Sequence, residues 1–168
     1  MTRTSKARGT SGQSIHGTCV AIGNRGILIR GRSGVGKSDL ALRLIAEGAR
    51  LIADDQVLVS VVAGRVVARA PEPIRGLIEV RGVGLVPAPT AASARIDLVV
   101  DLVASRAVPR LPEAQQSTRI HGVDIPAAML APFEASAAIK VRLALRFGAG
   151  CTGPVRETRS RPKRTARS

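Results

Sequence analysis

From Ile15 to Phe147 the apolar residues come in short bursts cut by Gly, Asn, Asp and Pro. Ile15–Ile22 reads as a strand. Gly23-Asn24-Arg25-Gly26 reads as a tight turn, because Asn and Gly accept positive φ. Ile27-Leu28-Ile29-Arg30 is a second strand, which completes a hairpin. The period then changes: Leu40, Ala41, Leu42, Leu44 and Ile45 recur at helical spacing, and Gly48 after Glu47 is a stop of the C′ type. Arg50–Ala53 is a strand ending at Asp54-Asp55. Gln56–Val62 and Arg65–Arg69 are extended on either side of an Ala63-Gly64 turn.

Pro71 and Pro73 mark a loop, and Ile74–Val86 is closely punctuated by glycine. Ala88–Ser93 is another loop. Ile96–Val103 is the most apolar strand. Residues 105–118 are polar and broken by proline, and Arg119–Ile125 is a short strand that stops at Pro126. Ala135–Phe147 is Ala-rich and predicts a helix, with Ser136 as its N-cap. No internal repeat is present. Strands outnumber helices, so the pattern predicts an α/β fold with a mixed sheet and few helices, not a regular doubly wound one.

The chain has 168 residues, of which 45% are apolar. That is enough for one real core and excludes a wholly disordered chain. No uncharged apolar stretch is long enough for a membrane span, and the basic start lacks a secretory apolar region. The formal net charge is +14, from 26 Lys and Arg against 12 Asp and Glu. More than half of that excess lies at the two ends. Residues 1–14 and 148–168 are expected to be basic disordered tails around a domain at 15–147; contact of the tails with an acidic protein or nucleic acid is the competing reading. Two Phe, no Tyr and no Trp disfavour single-strand nucleic-acid binding, which stacks bases on aromatic rings. Cys19 and Cys151 show no metal-ligand spacing and fit a reduced, cytoplasmic setting.

The chemistry concentrates after the first hairpin. Gly31-Arg32-Ser33-Gly34-Val35-Gly36-Lys37-Ser38 satisfies the Walker A pattern, with a β run before it and an amphipathic helix after it. Glycines let successive N–H groups turn inward around phosphate oxygens, and the helix N-terminus adds its dipole. Lys37 can bridge β- and γ-phosphates, and the Ser38 hydroxyl can ligate Mg²⁺. Asp54-Asp55 follows a strand, 17 and 18 residues after Lys37, where a Walker B acid stands. One acid suffices for Mg²⁺. A second can take a proton from a hydroxyl nucleophile. Adjacent strand residues face opposite ways, so Asp54 is assigned to the metal and Asp55 to the base. Two acids capping a turn is the alternative.

Taken together, three segments resemble the catalytic domain of the HPr kinase/phosphorylase family. The first is His16-Gly17. The second is the loop with Lys37-Ser38-Asp39-Leu40-Ala41-Leu42, then Arg50-Leu51-Ile52-Ala53-Asp54-Asp55. The third is Gly76-Leu77-Ile78-Glu79-Val80-Arg81-Gly82-Val83-Gly84-Leu85. The clear likeness spans about residues 15–87. It implies a nucleotide-binding fold of the phosphoenolpyruvate carboxykinase type. It implies an ATP- and Mg²⁺-dependent kinase for a serine of the phosphocarrier HPr, reversible with phosphate to give pyrophosphate, and a hexamer. Under it, Gly31 to Ser38 bind phosphates, and Ser38, Glu79 and Asp54 are the Mg²⁺ ligands. Asp55, with Asp54, accepts the serine proton; His16 tunes the acid; Arg81 neutralises charge on the transferred group.

The departures matter too. The resemblance is to the catalytic domain alone, and a short form without the separate N-terminal domain usual in the family is the expectation. The family's later Pro-x-Arg-Pro-Gly-Arg-Asn segment finds its best placed match at Pro132–Ala138, which has no arginine, and that bears on phosphorolysis. Two other classes stay open from sequence: a phosphotransferase or NTPase acting on a small molecule, and a non-catalytic nucleotide-sensing module. His121 reads as a structural strand histidine. The scattered Cys and His residues do not suggest zinc, and no Gly-x-Ser-x-Gly elbow occurs.

Overall fold

The computed structural model describes residues 12–72, 75–112 and 114–148. In chain order its elements are β1 (Gln13–His16), β2 (Thr18–Ile22), β3 (Arg25–Arg30), α1 (Lys37–Ala46), β4 (Arg50–Ala53), β5 (Gln56–Val62), β6 (Arg65–Arg69), β7 (Leu77–Val80), β8 (Gly84–Pro87), β9 (Ala94–Leu102), β10 (Ser117–Ile120), β11 (Val123–Leu130) and α2 (Ala137–Phe147). A 3-10 turn, Ser105–Ala107, lies between β9 and β10. The α/β class with a mixed sheet and few helices is the one observed.

Nine strands form one sheet in the order β1-β5-β6-β9-β3-β2-β4, with β11 also on β9 and β10 on β11. β7 and β8 make a separate hairpin. The centre is β9, which runs parallel to both β3 and β11 and antiparallel to β6. β6 takes its first residues and β11 its last, so the sheet forks along one edge of β9.

Alternation within the central strands feeds two cores. Ile27, Ile29, Leu98, Val100 and Leu102 pack with Leu40, Ala41, Leu44, Val141 and Leu145 beneath the helices. Leu28, Ile96 and Val99 join Cys19, Val57, Val59 and Ile125 on the opposite face. Both faces are covered, which is why β3 and β9 read as near-continuous apolar runs. The parity of β9 slips once. Gly26 pairs with Ile96 but Ile27 with Leu98, leaving Asp97 as a bulge residue. Arg25 and Arg95 both donate to its carboxylate. Asp101, the other acid in this strand, takes a two-pronged bond from Arg30 at 2.8 Å.

Several sequence expectations need correction. The strand expected over Ile15–Ile22 is two strands broken at Gly17. A Cβ there would stand 2.7 Å from the Ile29 carbonyl oxygen, and the chain leaves β3 at this point so that β1 can pair with β5. Gln13 and Ser14, read as tail, already belong to β1; residues 1–11 and 149–168, with Cys151, lie outside the described residues. The first hairpin turn is tighter than expected, because Arg25 and Gly26 are in β3.

The strand Arg119–Ile125 is a hairpin with its turn at His121-Gly122, and β11 runs straight through Pro126. Pro126 is tolerated because β11 changes partner there, pairing with β10 before it and β9 after it. His121 is an exposed turn residue with φ 49°, not a strand histidine. Helix α2 starts at Ala137, two residues later than expected, and Ser136 at its N-cap makes no side-chain capping bond. Leu42 is not a core residue of α1; it is exposed. No helix among the described residues is long and apolar enough to cross a membrane.

Burial pushes the Asp97 carboxyl up, but the bonds from Arg95 and Arg25 outweigh it and hold the carboxyl below its ordinary value. A carboxyl so depressed gives stability that is complete above its unfolded pKa of about 3.9 and is lost as pH falls through the lower folded value. The protein is therefore expected to weaken below about pH 4, and Asp97→Asn to be less stable at pH 7 with a flatter acid limb. Urea denaturation across that range measures both, and identical acid limbs would show that Asp97 is not the titrating group.

Candidate functional site

The turn after β3 and the start of α1 form the floor of a cleft of about 400 Å³. Gly36 is the N-cap of α1 with φ 108°, and no side chain caps that helix. The orphan N–H groups of the first turn are thus left for an anion. A side chain at Gly36 is excluded twice over: by its φ, and by the Phe133 ring and Pro132, which come within 3.0–3.1 Å of any Cβ. The Lys37 ammonium is buried against its own loop, donating to the carbonyls of Gly31 (3.0 Å) and Arg32 (2.8 Å). That uses two of its three protons.

Asp54 and Asp55 are parted by the backbone. The strand ends at Ala53, and Asp54 turns inward, 7% exposed. Its Oδ1 accepts from the hydroxyls of Thr18 and Ser38, each at 2.8 Å. Its Oδ2 accepts from the Glu79 backbone N–H at 3.1 Å. Asp55 adopts φ 66°, a left-handed conformation that Asp tolerates better than most residues. Its side chain turns out into the open cleft, where Oδ1 lies 3.3 Å from His16 Nδ1. The Gly17 N–H donates to the Asp55 carbonyl at 3.0 Å, which locks the turn to the break between β1 and β2.

The β7–β8 hairpin is the facing wall. Glu79 and Arg81 line the cleft, and Arg81 Nη2 reaches 4.0 Å from the point where a Cβ on Gly34 would stand. Gly31, Arg32 and Val35 shape the loop behind; the Val35 N–H donates to the Arg32 carbonyl at 3.2 Å. Ser33, Gly34, Gly36, Lys37 and Ser38 face the cleft. All the sequence-predicted residues therefore converge on one region.

The donor set fits phosphates and a divalent cation. Because Ser38 gives its proton to Asp54, its oxygen lone pairs remain for a metal ion. Among the described residues no group of three His, Cys, Asp or Glu could hold a metal unaided. A cation here would share Ser38 and a carboxylate with ligand oxygens and water. What the assembly can do is hold a polyphosphate on backbone N–H groups, Lys37 and Arg81, beside an open carboxylate paired with an imidazole. Cys19 takes no part: burial pushes its thiol up to about 12, so it is inert as a nucleophile.

Sequence reasoning missed four residues. Thr18 is fully buried beneath Asp54, and its only signal was a hydroxyl at the head of an apolar strand. Leu42 and Phe133 line the cleft. Arg43 pairs with Asp39 and donates to the carbonyls of Pro132 and Glu134, latching the segment before α2 onto α1. The stretch Pro132–Ala138, singled out for its lack of arginine, is a short tied turn over 132–136 running into the start of α2, and its Pro132 and Phe133 sit against Gly36 of the phosphate loop.

The family model described as HPr Serine kinase C-terminal domain matches residues 9–141. An HPr kinase/phosphorylase of Caldicellulosiruptor bescii is 39% identical over 122 residues, 66% of this chain and 39% of that protein. One of Lactiplantibacillus plantarum is 37% identical over 125 residues, 68% of this chain and 40% of that protein. The chain spans well under half the length of these curated relatives. The solved structure of the Hpr(Ser) kinase/phosphatase from Coxiella burnetii superposes with a TM-score of 0.71 at 23% identity, over 80% of this chain and 94% of that one. That likeness is one of fold.

Removing the Thr18 hydroxyl leaves Asp54 one donor short in a buried setting. Thr18→Val is expected to cost about 1.5–3 kcal/mol of stability, and Thr18→Ser much less. Urea denaturation midpoints test this; equal effects from the two substitutions would mean that shape, not the bond to Asp54, sets the loss.

Proposed function

The chain belongs to the HPr serine kinase C-terminal domain family, and from that premise we propose that it transfers the γ-phosphoryl group of Mg-ATP to a serine of an HPr-type phosphocarrier protein. The observation that carries the proposal is the division of the acid pair. Asp54 is buried beneath Ser38, and Asp55 is 72% exposed beside His16 at the cleft mouth. A small-molecule NTPase has no need of the second acid. A kinase needs a carboxylate that a bulky hydroxyl donor can reach.

In this reading the phosphate loop and Lys37 fix the nucleotide's phosphates. Lys37 exchanges its bonds to the Gly31 and Arg32 carbonyls for phosphate oxygens. Mg²⁺, when bound, neutralises charge on those oxygens. Ser38 would ligate it, with Asp54 holding the Ser38 hydroxyl, and Glu79 at the cleft wall would offer a further carboxylate. Asp55 takes the serine proton as the serine oxygen bonds to phosphorus and the bond to the bridging oxygen breaks. His16 keeps the Asp55 carboxylate turned toward the cleft. Arg81, reaching over the loop tip, offsets charge on the transferred group.

With phosphate in place of ADP, a phosphate oxygen bonds to the phosphorus of phosphoserine, the bond from phosphorus to the serine oxygen breaks, Asp55 returns the proton to that oxygen, and pyrophosphate is the product. Pro132–Ala138 supplies no arginine to phosphorolysis, so that direction relies on Lys37 and Arg81 for charge. A cytoplasmic homo-oligomer completes the reading. The exposed stripe Ile139, Leu143 and Phe147 on α2 supports self-association, for which a hexamer is the proposed state.

The test is transfer of ³²P from γ-labelled ATP to purified HPr, with a serine-to-alanine HPr as control. Serine-dependent label is expected. Its absence under conditions where ATP binds would favour a small-molecule acceptor or a sensing role. Asp55→Asn should bind ATP normally while transfer drops about 10²–10⁴-fold; undiminished transfer would remove Asp55 as the base. Lys37→Ala should lose both transfer and nucleotide affinity, in the same assay and by calorimetry.

A further inference from the structure

We propose that Phe133 is the platform on which the base of the bound nucleotide stacks. The inference rests on the nucleotide-binding reading above and deepens it. A nucleotide has an anionic tail and an aromatic base, and the cleft treats them unequally. Apart from Leu42, Val80 and Phe133, its lining is glycine or polar side chains. The phosphate loop accounts for the tail. The base, which gains by leaving water against an apolar face, has little else to meet.

The ring is placed for that task. Phe133 is one of only two Phe in a chain without Tyr or Trp, yet it is 73% exposed. Exposure alone is ordinary for a surface apolar residue; what distinguishes this ring is that it lines the cleft of the phosphate loop. One edge, Cζ and Cε1, lies against Gly36 of the phosphate loop itself; the rest of the side chain is exposed, and the residue lines the cleft. Proximity to Gly36 puts the ring beside the tail's anchor, so one molecule can span both.

The ring is also held in advance. Arg43 of α1 donates to the carbonyls on either side of it, those of Pro132 and Glu134, and Lys140 of α2 pairs with the Glu134 carboxylate. The turn is thereby tied to both helices. A platform fixed before binding avoids the ordering cost that a loose loop would add.

The experiment compares two ligands that share the tail and differ in the base: Mg-ATP and Mg-tripolyphosphate, titrated calorimetrically into the 168-residue chain. Phe133→Ala is expected to weaken ATP about tenfold and leave tripolyphosphate within twofold of wild type. Phe133→Tyr, which keeps the ring, should restore ATP affinity. Equal weakening of both ligands would show that Phe133 merely props the loop, and unchanged ATP affinity would show that the base lies elsewhere; either overturns the platform. Failure of wild-type protein to bind tripolyphosphate would instead overturn the phosphate-loop reading, and the platform with it.

Discussion

Three hydrogen bonds to one carboxylate tie α1 and the β7–β8 hairpin to the paired β2 and β4 strands at the edge of the sheet. Asp54, at the end of β4, accepts from Thr18 of β2, from Ser38 of α1 and from the Glu79 N–H of β7. A buried carboxylate is tolerable only when its oxygens are satisfied. Of its three donors, the fully buried Thr18 hydroxyl would in turn be stranded without it. This mutual need fixes the phosphate loop, the strand behind it and the separate β7–β8 hairpin as one body. Glu79 and Arg81 ride on that hairpin, so their place over the loop follows from the same contact. Among the described residues no buried side-chain nitrogen or oxygen lacks a partner, which fits a site whose polar groups are set before any ligand arrives.

Arginine does a second kind of structural work. Arg43 in the last turn of α1 ties the helix to the turn before α2, and Arg142 of α2 reaches back to the carboxylate and carbonyl of Glu47 at the C-cap of α1. Each bond is a forked or doubled one, which gives geometry as well as energy. The helices are clamped together through the C-terminal end of α1, and the turn carrying Phe133 is clamped with them. At the far side of the sheet, Arg25 and Arg95 satisfy the bulged Asp97. Part of the basic excess is thus internal bracing, distinct from the positive charge of the ends.

Much of the fold was legible because its signals are local. The β-strand, glycine loop and helix around Lys37 are written in side-chain period and in residues that tolerate positive φ. β4, β5 and β6 lie where alternation and the Ala63-Gly64 turn put them. Legibility failed where partner choice overrode local preference. Gly17 breaks a strand because the backbone of β3 comes too close. Pro126 does not end β11, because the strand is exchanging one neighbour for another there. Leu42 obeys the helical period yet faces the cleft, since the period says which residues share a face and not what that face meets.

The sequence by itself determined that a phosphate loop stands here, followed by two acids, and which segments carry the family likeness. Only the tertiary structure decided which acid is buried and which is open, that Thr18 underlies the first, and that an aromatic ring occupies the turn where an arginine-rich segment was sought. The physical reason is separation along the chain. The deciding contacts join residues 25, 36 and 91 positions apart. Over such distances no rule of period, capping or turn chemistry operates; packing alone brings the partners together.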